Sequence, residues 1–265
     1  MINIKYPIFV LLAFLIVSCS EKTEYDEPDE KGYVAPEPPE QVLQQNVFQI
    51  RLFSNYAETT LFSDNNYSAV ANEIASDSKV YVNFLDRADA HFLGGNPKNP
   101  TVDIARQTKR TAFFIPGDYT STGVNGTGVI INGLINEYKG QYLSDNLLIA
   151  GPEVRIMASQ SFMLNLAHCR ISNQKQNDEF VNAATDFVNA NLLIVGVIKK
   201  SMAKEFEKTL RTEAENFRLQ ILSDSNQADY VPFVFGPLNY VLRDNSVKTL
   251  SKEINSVTLH IEALQ

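Results

Sequence analysis

The segment 161–200 constrains the fold of this chain more than any other. It reads as the apolar run SFMLNLAHCRIS, then a polar stretch, then a second apolar run, NLLIVGVIKKS. Within the polar stretch, Gln176–Asn189 repeats apolar residues at helical spacing, which predicts an amphipathic helix. Asn191–Ile198 is a short continuous apolar run, typical of a strand covered on both faces. Such a strand must lie inside a layered fold.

Strand and helix patterns also alternate along the rest of the chain. Helical patterns cover Tyr67–Ser76 and Ala203–Phe217, Pro116–Thr127 reads as a turn-rich loop, and a hairpin is expected to join Glu153–Ser159 to Ser161–Cys169. The remaining strand patterns are Asn46–Phe53, Val80–Leu85, Thr111–Ile115, Gly128–Ile135, Tyr230–Phe235, Tyr240–Arg243 and Ser256–Ala263. Hairpin-linked strands with interspersed helices predict two sheets packed face to face, with helices outside.

The first 19 residues are typical of a targeting segment. Lys5 gives a positive start, Ile8–Val17 is an apolar run too short to span a membrane, and Ile16-Val17-Ser18-Cys19 resembles a lipobox. We therefore expect Cys19 to be lipidated and to anchor the chain to the outer membrane. An ordinary secretory signal with an incidental cysteine is the alternative.

An acidic segment follows the predicted anchor. Residues 20–40 hold eight acids, two lysines and four prolines. This composition predicts a disordered tether, which we extend to residue 45. An acidic stretch after a lipidated cysteine also resembles a signal for export to the cell surface.

The remaining residues, 46–265, are enough for one domain with a sizeable core. The tether carries most of the net charge of −8, so the domain is close to neutral. Near-neutrality argues against a nucleic-acid partner, because no basic surface emerges that would neutralise phosphates. Cys169 is the one cysteine left after Cys19, so no intrachain disulfide forms in the domain.

Several segments, in one order and spacing, resemble the endonuclease/exonuclease/phosphatase (EEP) family over about residues 46–264. The family has the motif Thr-His-Leu where this chain has Ala167-His168-Cys169. It has Gly-Asp-x-Asn where this chain has Gly196-Val197-Ile198-Lys199. Further similar segments are Ser78–Ala88, Phe113–Ile131, Pro152–Arg155, Phe235–Asp244 and Ser256–Leu259. The resemblance implies an α+β fold, a four-layer α/β/β/α sandwich with two mainly antiparallel sheets.

The chain departs from that family where its chemistry resides. Enzymes of the family hold Mg²⁺ with a Glu and neighbouring carboxylate or amide groups, and a His neutralises the transition state. The equivalent positions here are Ser54 for an Asn, Phe84 for the metal Glu, Val197 and Lys199 for an Asp and an Asn, and Val257 and Thr258 for the final Asp-His. His168 is retained, as a vestigial catalytic candidate.

His168 and Asp86 each also have a purely structural interpretation. His168 shares a strand face with Phe162, Leu164 and Leu166, so it is expected to be a core residue that has its hydrogen bonds satisfied. Asp86 is a weak alternative metal ligand and is expected to be a solvated residue at the end of a strand. Gly123, Gly126 and Gly128 read as turn glycines.

Three hypotheses remain open at this point. The first is a non-catalytic EEP-like envelope lipoprotein without a cofactor, which binds a glycan, a peptide or an envelope protein. The second is an active Mg²⁺-dependent phosphodiesterase or nuclease, in which Asp86, Glu153 and His168 converge. The third is an all-β adhesin or pilus-type lipoprotein, against which the helix at Gln176–Asn189 counts.

Overall fold

The computed structural model describes residues 47–55, 64–91, 99–119, 121, 123–132, 137–143, 147–157, 161–222, 229–251 and 254–264. All of these lie in one compact unit, Pro36–Gln265. The predicted lipidation site Cys19 and the predicted tether lie outside the described residues. Within the described ranges, no helix combines the length and the apolar composition that crossing a membrane requires.

Six strands form the first sheet. They are β1 (Val47–Asn55), β2 (Val80–His91), β3 (Thr111–Tyr119), β4 (Gly123–Ile131), β12 (Tyr240–Thr249) and β13 (Ile254–Ala263). Their order across the sheet is β12-β13-β1-β2-β4-β3. β1 runs parallel to β2, and the other neighbouring pairs are antiparallel.

Seven strands form the second sheet. They are β5 (Glu137–Leu143), β6 (Leu147–Met157), β7 (Ser161–Ala167), β8 (Arg170–Ile171), β9 (Leu192–Lys199), β10 (Phe217–Ile221) and β11 (Tyr230–Pro237). Their order is β10-β11-β9-β7-β6-β5, and the short β8 also pairs with β9. β9 runs parallel to β7 and β8 because a helix connects them.

Four helices are described, two for each sheet: α1 (Asp64–Ser76), α2 (Pro100–Thr108), α3 (Gln174–Asn189) and α4 (Ala203–Glu213). Asn173 caps α3, since its side chain accepts a hydrogen bond from the backbone N–H of Gln176 at 3.0 Å. The cap fixes the point at which the chain leaves β8 and starts the helix.

Three buried clusters give the order of the layers. Apolar residues from both sheets, among them Leu52, Phe84, Val195 and Val257, pack together without any helix. α3 and α4 pack on the second sheet, where the Phe180 ring meets that of Phe233 at 5.7 Å between centroids. α1 and α2 pack on the first sheet through a third cluster. The described part is therefore an α/β/β/α sandwich.

The predicted fold class is confirmed. β9 is an interior strand with β7 beside it, and β6 and β7 form the expected hairpin. The prediction that Pro116–Thr127 is a loop was wrong, because most of it belongs to β3 and β4. A Cβ on Gly126 would lie 2.1 Å from the carbonyl oxygen of Ile115. Gly126 thus serves close strand contact rather than a turn.

Four further elements, among them the short β8, were not predicted. The helix α2 and the strand β5 did not appear in the sequence patterns, and the helix expected to reach Phe217 ends at Glu213. Phe217 instead begins the edge strand β10, whose five residues alternate in exposure. Charged residues in α4 extended its helical pattern past its true end.

Candidate functional site

Asp86 shares the inner face of β2 with Phe84, and a bulge follows at this point of the strand. The pairing of β2 with β4 changes register between Leu85 and Ala88, and Arg87 has a φ of 50°. Leu85 and Ala88 both pack on the helix side, whereas Phe84 lies in the core between the sheets. Side chains alternate along a strand, so Asp86 points to the same side as Phe84 and reaches across the sandwich. The extra residue of the bulge places Ala88 on the helix side, where alternation alone would have turned it inward.

His168 lies just after β7 and meets Asp86 in the interior. Its Nδ1 donates to the carbonyl oxygen of Val195 at 2.8 Å, and its Nε2 lies 3.2 Å from Oδ1 of Asp86. Both side chains are 1% exposed. The Phe84 ring lies beside the imidazole, with 5.8 Å between the centroids. Both ring nitrogens of His168 are therefore occupied.

Arg170 completes a buried cluster with Asp86 and His168. Its Nη1 donates to Oδ2 of Asp86, and its guanidinium carbon lies 3.6 Å from the centroid of the Tyr230 ring. The Arg170 side chain is 10% exposed. Within the described part of the chain, its Nε and Nη2 are buried and have no hydrogen-bond partner. One edge of the guanidinium is thus used and the other is not.

The charge of Asp86 is fixed by its neighbours. Burial raises the pKa of Asp86, but the charge of Arg170 and the hydrogen bond of His168 outweigh burial and hold that pKa below its ordinary value of 3.8. Burial raises the pKa of the neighbouring Cys169 thiol, and the charge of Asp86 raises it further. Asp86 is therefore an ionised acceptor, and Cys169 is an inert thiol.

The cluster borders a cavity of about 260 Å³. Three ionisable residues at its inner end are Asp86, His168 and Arg170. The rest of its lining is mainly polar or glycine, with a single aliphatic side chain: Arg87, Gly117, Asp118, Asn125, Gly126, Thr127, Leu148, Ser172, Asn173 and Gln176. The first turn of α3 opens onto the cavity, which can therefore accept a polar ligand.

The same architecture occurs in solved structures of low sequence identity. An EEP family protein from Leptotrichia buccalis matches with a TM-score of 0.56 at 8% identity, over 81% of this chain and 99% of that chain. An EEP protein from Bacteroides vulgatus matches with a TM-score of 0.55 at 8% identity, over 82% and 99%. TDP2 from D. rerio, complexed with a single-strand DNA product, matches with a TM-score of 0.53 at 9% identity, over 82% and 99%.

This chain has the endonuclease/exonuclease/phosphatase fold. No family model and no curated protein matches its sequence. At identities near 8%, the likeness concerns the fold alone.

Apolar residues occupy three positions at which the EEP resemblance implies catalytic groups. Phe84, Val197 and Val257 are each 0% exposed and belong to the core between the two sheets. They come from three strands and belong to one buried cluster.

The other vestigial positions, Ser54, Lys199 and Thr258, lie in different environments. Ser54 is buried near the end of β1, and Lys199 is half-buried at the end of β9, opposite Tyr230 of β11. Thr258 lies on the helix side of the first sheet, where its hydroxyl accepts from Nε of Arg51 at 3.0 Å. Side chains alternate along a strand, so Thr258 points away from the face that Val257 occupies.

The described residues do not fit Mg²⁺. Among them, no group of three His, Cys, Asp or Glu side chains could hold a metal ion. The two oxygens of Asp86 already bind Arg170 and His168, and the guanidinium would repel a cation. The side chain of Glu153, the other weak candidate, lies outside the described residues. The expectation that Asp86 is solvated was wrong, because its side chain is 1% exposed and meets His168 and Arg170 between the sheets.

Arg170 and the start of α3 were not singled out from the sequence. A signal for Arg170 existed, because residues two apart on an extended chain share a face, as His168 and Arg170 do. The same spacing links Phe84 with Asp86. No comparable signal brings Asn173 or Gln176 to the cavity, since that depends on how the helix packs.

Proposed function

We propose that this chain is a non-catalytic EEP-fold module that binds a ligand in the bacterial cell envelope. The observation that supports it best is the apolar core at Phe84, Val197 and Val257, where carboxylates would be required to hold a metal ion. Hard cations need oxygen ligands, and phenyl and isopropyl groups supply none. Without the ion, the main stabilisation of a phosphoryl transition state is missing.

The state of His168 supports the same proposal. A general acid or base must exchange a proton with a substrate. Both nitrogens of His168 already have partners inside the protein, namely the Val195 carbonyl and Asp86. The side chain is 1% exposed, so its hydrogen bonds stabilise the interior instead.

The cavity provides the binding site in this proposal. It borders the Asp86–His168–Arg170 cluster and is lined by amide, hydroxyl and charged groups. Ligand sites commonly combine a preformed cleft with a few convergent polar groups. The occupant would be a part of a glycan, a peptide or an envelope protein.

The envelope location rests on the N-terminal sequence. We propose that Cys19 carries a lipid anchor in the outer membrane and that the acidic, proline-rich tether holds the domain at the cell surface. A neutral domain on an acidic tether suits a protein partner or a glycan better than a nucleic acid.

A second candidate is an active Mg²⁺-dependent phosphodiesterase. The contact of Asp86 with His168 at a polar cavity favours it, since this is the arrangement an acid–base pair needs. Solved structures with this fold include TDP2 bound to a single-strand DNA product and the endonuclease domain of TRAS1, the latter with a TM-score of 0.50 at 10% identity, over 82% of this chain and all of that chain.

One experiment separates the two candidates. The full-length protein, purified in detergent, is titrated calorimetrically with Mg²⁺ and with Mn²⁺ and assayed on plasmid DNA and bis(p-nitrophenyl) phosphate. The matched variants are His168→Ala and His260→Ala, because His260 is 38% exposed and lies outside the cavity. We expect no specific metal binding and no hydrolysis in any of the three proteins. Micromolar metal binding, with turnover lost in His168→Ala and kept in His260→Ala, would establish the phosphodiesterase.

A further inference from the structure

We propose that the cavity binds a neutral sugar ring, held by polar side chains that two β-bulges bring to the cavity on either side of β4. This inference rests on the proposed binding function and names the ligand class of the same site. It is based on three observations: the pair of bulges, the polar groups that a ligand can reach, and the cancelling charges of the lining.

Two β-bulges flank β4 where it borders the cavity. On one side, residues 86–87 of β2 lie opposite the single residue Thr127. On the other side, residues 117–118 of β3 lie opposite the single residue Asn125. All six residues line the cavity, and each bulge brings one more residue to it than regular pairing would. Bulges occur preferentially next to functional sites, so two of them at one cavity indicate a built site.

The polar groups that a ligand can reach come from both sheets. Asp118 is exposed, and Arg87 and Asn125 are half-buried. Ser172 follows β8 of the second sheet, lines the same cavity and is also half-buried. A ligand in the cavity therefore contacts these four side chains without having to enter the enclosed cluster behind them.

These groups match the hydroxyls of a sugar. The amide of Asn125 and the hydroxyl of Ser172 each donate and accept hydrogen bonds, the carboxylate of Asp118 accepts, and the guanidinium of Arg87 donates. A hydroxyl is itself both donor and acceptor, so a ring that carries several hydroxyls can pair with all four groups. An apolar peptide side chain finds little to contact, because Leu148 is the one aliphatic side chain among the described residues of the lining.

The cancelling charges of the lining favour a neutral ligand. The two aspartates, Asp86 and Asp118, are balanced by the two arginines, Arg87 and Arg170. Moving an ion out of water is costly unless an opposite charge compensates it, whereas a hydroxyl needs only a hydrogen bond. The cavity of about 260 Å³ is smaller than the sites of about 300–1,000 Å³ that hold drug-sized ligands, so its size suits a single ring.

The test measures the binding of defined sugars to the full-length protein, in a buffer with EDTA and a detergent that has no sugar head group. The methyl glycosides of glucose, galactose, mannose and N-acetylglucosamine are titrated and followed by saturation-transfer NMR. Galacturonate, inorganic phosphate and trialanine are the comparisons, because they represent an acidic sugar, an anion and a peptide.

Two pairs of variants locate the binding site. Asp118→Ala removes the exposed carboxylate, and Asp103→Ala removes one from the surface of α2 as its matched control. Asn125→Ala removes the half-buried amide, and Asn245→Ala removes a half-buried amide of β12 that does not line the cavity. Asp118→Asn is the conservative variant, since it keeps one acceptor oxygen.

We expect at least one glycoside to bind, and we expect galacturonate to bind no more tightly than the methyl galactoside. Phosphate and trialanine should not displace the bound glycoside. Asp118→Ala and Asn125→Ala should each weaken binding about three- to tenfold, which is the effect of one lost hydrogen bond, and Asp118→Asn should weaken it less. Both control variants should bind as the wild type does.

Four results would overturn this inference. They are the absence of binding by all four glycosides, tighter binding of galacturonate or phosphate, displacement by trialanine, and wild-type affinity in both Asp118→Ala and Asn125→Ala. If Asn125→Ala fails to fold, the exposed Asp118 decides alone. The metal titration and the hydrolysis assay test the non-catalytic function separately, so the two proposals fail in distinguishable ways.

Discussion

Asp86→Asn should destabilise the protein strongly at neutral pH. Asp86 is 1% exposed, and it is the hydrogen-bond acceptor that the structure shows for the guanidinium of Arg170, a side chain 10% exposed. Removing one partner of a buried ion pair leaves the other charge uncompensated, which costs about 3–5 kcal/mol. Asn keeps a single acceptor oxygen, so it cannot serve both Arg170 and His168 as the two carboxylate oxygens do. We therefore expect a decrease of this size in the free energy of unfolding.

The effect should depend on pH with a defined sign. The pKa of Asp86 in the folded protein lies below 3.8, its ordinary value, because Arg170 and His168 outweigh the effect of burial. A carboxyl with a depressed folded pKa contributes stability above its unfolded pKa and loses it as the pH falls through the folded pKa. The difference between wild type and Asp86→Asn should thus be constant above about pH 5 and should shrink below pH 3.8.

Urea denaturation followed by circular dichroism, at a series of pH values, measures both effects. Asp103→Asn is the matched control, because Asp103 pairs with Arg106 at 3.3 Å on the surface of α2, where such pairs contribute about 0.5 kcal/mol or less. The double variant Asp86→Asn with Arg170→Met should be more stable than Asp86→Asn alone, since no unpaired charge remains. If Asp86→Asn lost less than about 1 kcal/mol of unfolding free energy at pH 7, the buried ion pair would be refuted. A difference from wild type that grows toward low pH would refute it as well.

Three further predictions follow from other parts of the chain. Gly196→Ala should lower the free energy of unfolding in urea by about 1–3 kcal/mol, because the new Cβ would lie 2.6 Å from the Phe233 ring. Gly236→Ala should lower it clearly less, because its Cβ would lie 3.0 Å from the flexible end of Leu193, and equal losses would contradict this packing. Cys169 should resist Ellman's reagent in the native protein at pH 8 and react in urea, since burial and Asp86 raise its pKa; rapid native labelling would be inconsistent with its environment. Cys19→Ala should release the protein from the membrane fraction or leave its signal uncleaved, and unchanged fractionation and gel mobility would reject the lipid anchor.

The layered fold could be predicted because its central signals are local. The continuous apolar run that became β9 and the amphipathic pattern that became α3 each depend on a few consecutive residues. The hairpin of β6 and β7 follows from two neighbouring apolar strands. The adjoining ends of β3 and β4 were predicted as a loop because glycines in β4 resemble turn signals, although Gly126 and Gly128 lie in close contact with neighbouring residues.

The site could be predicted only in part. The proximity of Asp86 to His168 was expected under the enzyme hypothesis, in which these residues converge with Glu153. The burial of His168 was expected, whereas that of Asp86 was not. The burial of Asp86 depends on His168 and Arg170, which the second sheet brings to Asp86 and which no local sequence pattern places there. The stacking of Arg170 on Tyr230 joins residues 60 positions apart, and only the folded sheets reveal it.

The pairing of β1 with β13 has a consequence for how this protein folds. β13 lies between β12 and β1 in the first sheet, and Arg51 contacts Thr258 across 207 positions of sequence. Pairings of such long range form slowly, and the N-terminal part of a chain emerges first during synthesis. The first sheet therefore cannot be completed before residues 254–263 have been synthesised. Truncation before β13 would split this sheet through its interior rather than shorten its edge.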